Sequence, residues 1–384
     1  MNITDIKCYA FWLGHRNVCL VKIETDEGIF GWGESGLSGR EKAVAGAIEH
    51  FREFLVGRSA MNIGALWQEM YRSQYFEGGR VLAAAISAID IALHDVLGKH
   101  LNVPVYQLLG GKQREYVELF VTATSAYEQA LVEQVLSLKQ AGWQVIRTTT
   151  GVHGSPEQAT QFCPRTSLAQ VSSLLTDIRE QLGPETVLGI DYHHRLTVAE
   201  TCSFIQRMPP GTLDFIEEPI RAQSLTSYQS LRQMVDVPFA IGEEFTSKWD
   251  FAPFVEQGAV DFARIDICNA GGFTEAMKIA ALCETKYLDM MPHNPLSPLS
   301  TAASMHYCAA ISNFSWLEWP PYDGDLSDYD QVFNRRLQPV NHRLSVDAAP
   351  GLGIEINEDV VKKLAFDFWE PPRLVKPDGS YQNW

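Results

Sequence analysis

Cysteine pairs at metal-binding spacing, a basic stripe and an uninterrupted apolar run of membrane length are all missing from this 384-residue sequence. The seven cysteines (Cys8, Cys19, Cys163, Cys202, Cys268, Cys283 and Cys308) are odd in number and include no Cys-x-x-Cys. That pattern suits reduced thiols in a cytoplasmic protein better than a disulfide framework or a structural zinc site. Lysine and arginine are outnumbered 31 to 47 by aspartate and glutamate, giving a formal net charge of −16. Nucleic acid is therefore not an expected partner, because no basic stripe is visible to neutralise phosphates. A small anion could bind only where positive charge is concentrated, for example on a metal ion held by several carboxylates. The longest apolar runs, such as VLAAAISAIDIAL from Val81, are broken by Asp90 and fall short of a membrane span, so no membrane partner is expected. The first residues lack a basic start, an apolar core and a cleavage site, and no signal peptide is expected. Neither GHRNVCL nor NAGGFTE fits Gly-x-Gly-x-x-Gly, and no Walker loop occurs, which counts against a dinucleotide or nucleotide fold.

What is present is an ordinary globular composition, 46% apolar and 20% charged. The length predicts two domains, or one large barrel with an addition. Residues 1–115 read as an antiparallel ribbon followed by helices. VCLVKIETDEGIFGWGES gives two strands joined at Asp26-Glu27-Gly28, and KAVAGAIEHFREFLV and RVLAAAISAIDIALHDVLGKHL repeat at helical spacing. From Tyr116 the pattern changes. VELFVTAT, WQVIRTT, TVLGID, LDFIEE, PFAIGEE, DFARID, YLDMMPH and FSWLEW alternate with amphipathic segments. Eight such units over residues 116–338 predict an α/β (β/α)8-type (TIM-like) barrel, with a doubly wound open sheet as the competing architecture. Residues 339–384 read as a strand, a glycine turn and a short helix. They are expected to pack back on the N-terminal α+β capping domain and complete it.

Several barrel runs end in an ionisable residue: Asp191, Glu217, Glu243, Asp266, His293 and Glu318, at intervals of 26, 26, 23, 27 and 25 residues. Each interval is close to one strand-helix unit, and the C-terminal ends of barrel strands converge on one face. One ionisable strand end is commonplace, but six in succession predict a shared cavity. Asp191, Glu217 and Glu243 supply three oxygen ligands, a donor set that favours Mg2+ with Mn2+ as competitor. An imidazole beside a carboxylate, as His293 stands to Asp266, suits a general base. The first of these ends reads DYHHRLT. Strand alternation puts Asp191 and His193 on one face and His194 on the other. Glu218 and Glu244 should face away from the cavity or bind neighbouring partners.

DYHHRLT, IEEP, GEEF, NAGGFTEAMKIA, MPHNPLSPLSTAAS and LEW together resemble the enolase superfamily in its mandelate racemase branch. IETDEGIFGWGE and YFEGGRVLAAAISAIDIALHDVLGK resemble that branch's capping domain. APGLGIEINED and DGSYQNW are especially similar to its acid-sugar dehydratases of the galactonate dehydratase type. The resemblance implies Mg2+ on Asp191, Glu217 and Glu243, and a base in His293 paired with Asp266. It implies that Glu318 hydrogen-bonds the substrate carboxylate, and that His193 protonates a departing hydroxyl. It further implies a sugar-acid substrate and a homo-oligomer, dimer to octamer.

The sequence departs from many relatives on the second barrel strand, where Arg147 and Thr149 stand inward in place of a Lys-x-Lys pair. An arginine stays protonated and is a poor base, which weakens racemisation. The segment also resembles mannonate dehydratases, but lacks the tyrosine that assists their arginine. Arg147 and Thr149 on that strand, His15 and Arg16 on segment 13–20 and Arg40 on segment 35–40 are the candidate substrate contacts, with segment 150–166 a further candidate loop. The expected activity is a Mg2+-dependent dehydration of a sugar acid to its 2-keto-3-deoxy product. Alternatives are a mannonate dehydratase-like enzyme, an epimerase or cycloisomerase on the same scaffold, or a non-catalytic metal-binding descendant.

Overall fold

The computed structural model describes residues 1–73, 75–125, 128–149, 160–320, 327–371 and 373–383. The chain opens with β1 (Ile3–Leu13), β2 (Arg16–Thr25), β3 (Phe30–Ser35), α1 (Glu41–Leu55), α2 (Ile63–Arg72), α3 (Arg80–Leu101) and α4 (Val105–Leu108). It continues with β4 (Tyr116–Ala123), α5 (Glu128–Gln140), β5 (Val145–Thr149), β6 (Thr160–Gln161), α6 (Pro164–Leu182), β7 (Val187–Asp191), α7 (Val198–Ile205), β8 (Phe215–Glu217), α8 (Leu225–Met234) and β9 (Phe239–Ile241). Then follow α9 (Lys248–Glu256), β10 (Phe262–Ala263), α10 (Gly272–Glu284), β11 (Asp289–Met290), α11 (Pro298–Ala310), β12 (Leu317–Glu318) and α12 (Ser327–Val332). The last elements are β13 (Arg343–Ser345), α13 (Glu358–Val361), β14 (Leu374–Val375) and β15 (Tyr381–Gln382). All eight runs expected as barrel strands are strands: β4, β5 and β7 to β12.

The chain divides into two compact units. The first comprises Met1–Glu118, Glu243–Ala252 and Ile265–Trp369. Its antiparallel ribbon β1-β2-β3 turns at residues 26–28, where Gly28 takes a left-handed φ of 78° and donates its N–H to the Thr25 carbonyl. Helix α3 lies directly on β3, because Gly31 and Gly33 present no side chain to it: a Cβ on Gly33 would fall 2.0 Å from the Ala88 carbonyl oxygen. Small residues on the helix, Ala84, Ala88 and Ala92, are fully buried in the same contact region. At 22 residues α3 is long and apolar enough to cross a membrane, but 83% of its most apolar stretch is buried inside the protein. It is therefore the core helix of this unit.

Residues 343–369 join the first unit. β13 pairs antiparallel with the start of β4. Asp95 accepts the N–H groups of Trp32 and Leu352, while Glu358 takes both Lys22 Nζ (2.6 Å) and the Tyr9 hydroxyl (2.6 Å). The expected glycine turn and short helix are Gly351–Gly353 and α13.

The second unit comprises Leu119–Gly242, Pro253–Arg264 and Glu370–Trp384. Its sheet runs β10-β9-β8-β7-β5-β4, all parallel. Helices α5, α6, α7 and α8 fall between successive strands, the crossover pattern parallel pairing requires. The C-terminal segment was expected to return as a whole to the N-terminal domain; its last part, Glu370–Trp384, falls in the second unit. There β14 pairs with β6 and β15, and Asn383 and Gln382 donate to the carbonyls of His194 and Arg195. Backbone carbonyls of the turn after β7 and the short strand β6 offered those partners.

Replacing Gly33 by alanine should destabilise the protein by about 1–3 kcal/mol, the usual range for overpacking a tight contact. A fall in the urea midpoint with unchanged slope would verify it; an unshifted midpoint would show that β3 and α3 can part without loss.

A candidate carboxylate and histidine site

Parallel pairing in register brings the ends of three strands of the second unit side by side, with Thr149 opposite Asp191 and Asp191 opposite Glu217. Asp191 and Glu217 are fully buried. Glu217 accepts from two arginines: Arg264 Nε reaches Oε1 at 2.6 Å and Arg147 Nη1 reaches Oε2 at 2.8 Å. Arg147 also donates from Nε to the Thr122 hydroxyl and lies 3.5 Å from Asp191 Oδ2. Arg147, a candidate substrate contact, is 95% buried, and β5 aims it along the row of strand ends at these carboxylates.

Asp191 and His193 do come together, but not by strand alternation. β7 stops at Asp191, and His193 and His194 both take left-handed φ values, 47° and 60°. This turn brings His193 back onto Asp191, with its N–H on Oδ1 and its Nε2 2.9 Å from Oδ2. Burial opposes ionisation of Asp191, yet the His193 and Arg147 charges outweigh it and hold the carboxyl far below the usual range. His194 turns elsewhere, its Nε2 3.3 Å from Glu218. Glu218 also accepts the Gly242 N–H at 2.7 Å, which pins the chain one residue before Glu243.

Asp191, Glu217 and Glu243 each offer a carboxylate oxygen within 4.8 Å of the others. Three hard oxygen donors, two of them fully buried, are a donor set that fits a divalent cation. In the first unit the His293 N–H bonds the Ile265 carbonyl and the Glu318 N–H the Pro292 carbonyl, so Asp266, His293 and Glu318 close up as neighbours. His293 Nδ1 lies 2.9 Å from Asp266 Oδ2 and its Nε2 3.7 Å from Glu243 Oε2. Asp266 is itself held by the Cys268 N–H and the Asn269 side chain. Burial pushes the His293 imidazole down, but Glu243, Asp266 and Glu318 overcome it and raise the pKa to about 9. Glu318 accepts the Asn294 N–H.

The remaining candidates are dispersed. Arg16 donates to the Pro295 carbonyl, two residues beyond His293, whereas His15 stacks on Tyr329 and Arg40 bonds the adjacent Gly39 carbonyl. Of the segment 13–20, residues 16–20 lie within β2 and not in a loop. Thr149 ends β5 half-buried, and residues 150–159 of the expected loop lie outside the described residues. Glu244 pairs with Arg80 at 2.7 Å.

Residues 11–110 match the mandelate racemase / muconate lactonizing enzyme N-terminal domain, and residues 130–360 match the enolase C-terminal domain-like family. The chain belongs to the enolase superfamily. A curated relative, D-galactonate dehydratase of Xanthomonas campestris, is 32% identical over 393 residues and covers 100% of both chains. The crystal structure of an enolase from Pantoea ananatis with bound D-gluconate and Mg is 29% identical, with a TM-score of 0.90 over 100% of each chain. The 3,6-anhydro-D-galactonate cycloisomerase of Zobellia galactanivorans is 32% identical, with a TM-score of 0.82 over 95% of this chain and 99% of that one. The α/β architecture expected from the sequence, a barrel of parallel strands with an N-terminal α+β capping domain, is the superfamily's fold.

Sequence reasoning missed two members of this superfamily chain's polar interior. Arg264 is fully buried, and its signal was a lone cation two residues before Asp266 in an apolar strand. Glu34, near the end of β3, accepts from the Ser297 hydroxyl (2.5 Å) and the Ser300 N–H (3.1 Å) at the start of α11. Burial lifts its pKa to about 7, against those hydrogen bonds, which favour the anion. A carboxyl whose pKa rises on folding favours the fold at low pH and loses that contribution as pH climbs from the unfolded value through about 7. Relative to Glu34→Gln, the parent should therefore lose about 2 kcal/mol of stability between pH 5 and pH 8. Urea titrations of both proteins at the two pH values test this, and parallel pH profiles would refute it.

Proposed function

We propose that the protein is a hydro-lyase that removes water from a sugar acid of the hexonate class, with Mg2+ as its resident cation. The observation that carries this reading is the His293–Asp266 pair, 2.9 Å apart, with the far ring nitrogen 3.7 Å from Glu243. Dehydratase and gluconate-bound relatives at 32% and 29% identity support it. The proton beside a carboxylate is very weakly acidic, so the site must supply both a base and stabilisation of the enediolate. Asp191, Glu217 and Glu243 would hold a divalent cation, which would supply charge stabilisation to the substrate carboxylate, the use enolase-superfamily sites make of Mg2+.

The chain's own groups do the rest. Asp266 accepts from Nδ1–H of His293 and fixes the tautomer that leaves Nε2 basic. His293 Nε2 takes the C2 proton, and the carboxylates around the ring stabilise the imidazolium that results. Glu318 hydrogen-bonds the substrate carboxylate. His193 gives its proton to the C3 hydroxyl, which leaves as water, and the enol product tautomerises to the ketone. Arg147 is no second base, because a guanidinium does not deprotonate in this range.

One other reading has its own support, the 32% identity to a cycloisomerase. That activity would return a product of unchanged mass. Incubation with a panel of hexonates and hexarates is expected to give a 2-keto-3-deoxy acid lighter by one water; isomerised product of equal mass would favour the cycloisomerase. His293→Asn should lose both dehydration and exchange of the C2 proton in heavy water. His193→Asn should lose dehydration while His293 is still able to exchange that proton. Robust exchange in His293→Asn with none in His193→Asn would reverse the two roles.

Activity should also rise with pH as His293 loses its proton, with a midpoint at or below about 9. The sign follows because the neutral ring is the active form, and a cation on Glu243 withdraws one of the charges that raise the pKa. A profile with no rising limb at or below that range would count against His293 as the base.

A further inference from the structure

Both oxygens of Glu217 are engaged by arginines, Arg264 at 2.6 Å and Arg147 at 2.8 Å. Arg264 is completely buried and Arg147 nearly so, and both guanidiniums lie over the Phe120 ring, at 5.2 and 5.3 Å from its centroid. Two cations are more than one carboxylate needs. Asp191 lies 3.5 Å from Arg147 and 2.9 Å from the His193 ring, so arginine charge faces both buried carboxylates.

We infer that Arg147 and Arg264 are built-in counter-cations. They hold Asp191 and Glu217 together when no divalent cation is bound, and they weaken the hold on that cation when it arrives. The inference rests on the metal reading above. Its physical basis is that a buried carboxylate without positive charge against it is strongly destabilising, so a site that must exist before its metal needs another source of charge. The same positive charge opposes entry of a second cation. Arg147 is thus a positioning residue for the ligand carboxylates, and Arg264 is its partner from the other side.

The test uses the full chain, with Mg2+ and Mn2+ binding measured by titration calorimetry and melting followed in chelator and in saturating Mg2+. Arg264→Met, which keeps length and loses charge, should bind Mg2+ about fivefold more tightly or better, the lower end of typical coupling between sites. Its melting temperature should fall further in chelator than in Mg2+, since a ligand that binds the fold more tightly stabilises it more. Arg264→Lys restores the charge without the planar fork and should return the affinity towards the parent's. Unchanged or weaker Mg2+ binding by Arg264→Met overturns the inference, as does equal behaviour of the Met and Lys variants, which would mark a packing role. Should Arg264→Met be insoluble under both conditions, Arg147→Met carries the same expectation and the same refutation. If the parent binds neither Mg2+ nor Mn2+, the metal reading itself falls and this inference falls with it.

Discussion

Glu217 sits at the end of a short strand with no access to water, and an ionised carboxylate in that position is tolerable only where positive charge meets it. The surrounding strands are arranged around that requirement. β5 contributes Arg147, the residue after β10 contributes Arg264, and β4 contributes the Phe120 ring and the Thr122 hydroxyl. A barrel interior is ordinarily filled by layers of branched apolar side chains. Here the layer nearest the strand ends is ionic, and removing any member would strand a charge.

The backbone leaves extended geometry just beyond β7, β8 and β9. His193, His194 and Glu218 adopt left-handed φ values, and Gly242 has a φ of 128° that a side-chain-bearing residue rarely takes. Left-handed backbone at non-glycine residues is costly and is kept where surrounding structure over-determines it. Glu218 supplies much of that determination. Its carbonyl takes the His194 N–H, its carboxylate takes the Gly242 N–H, and His194 lies against it. The second glutamate of the IEEP stretch thereby fixes the chain at His194 and at Gly242, while the first meets the arginines.

In the first unit the ribbon and the His293 loop are joined by hydrogen bonds of a similar kind. Glu34 on β3 meets the start of α11, whose N-terminal N–H groups attract an acceptor. Arg16 on β2 holds the Pro295 carbonyl between His293 and that helix. The loop carrying His293 is thus tied to two strands of the ribbon, and Asp266 fixes the ring itself. Burial and a ring of carboxylates pull the imidazole in opposite directions, and the carboxylates win.

Local pattern was enough for the eight barrel strands, the glycine turn of the ribbon, the long alanine-rich helix and the succession of ionisable strand ends. These are short-range properties: alternation sets strand against helix, and a charged residue closing an apolar run marks where burial stops. The pairing of His293 with Asp266 and the gathering of Asp191, Glu217 and Glu243 followed from spacing, because parallel strands in register bring their ends together. What spacing could not supply was the choice among partners. Arg147 meets Glu217, Arg264 completes the pair from 47 residues further on, and Cys8 and Cys19 come within 3.5 Å without any motif to announce it. Nor could alternation follow His193 past the end of β7, where a left-handed turn replaces the strand. The sequence by itself determined the eight barrel strands and which of them end in an ionisable residue, but not β1 or β6. Only the tertiary structure decided which buried charges face one another, because that depends on how distant strands are registered side by side and not on any preference within them.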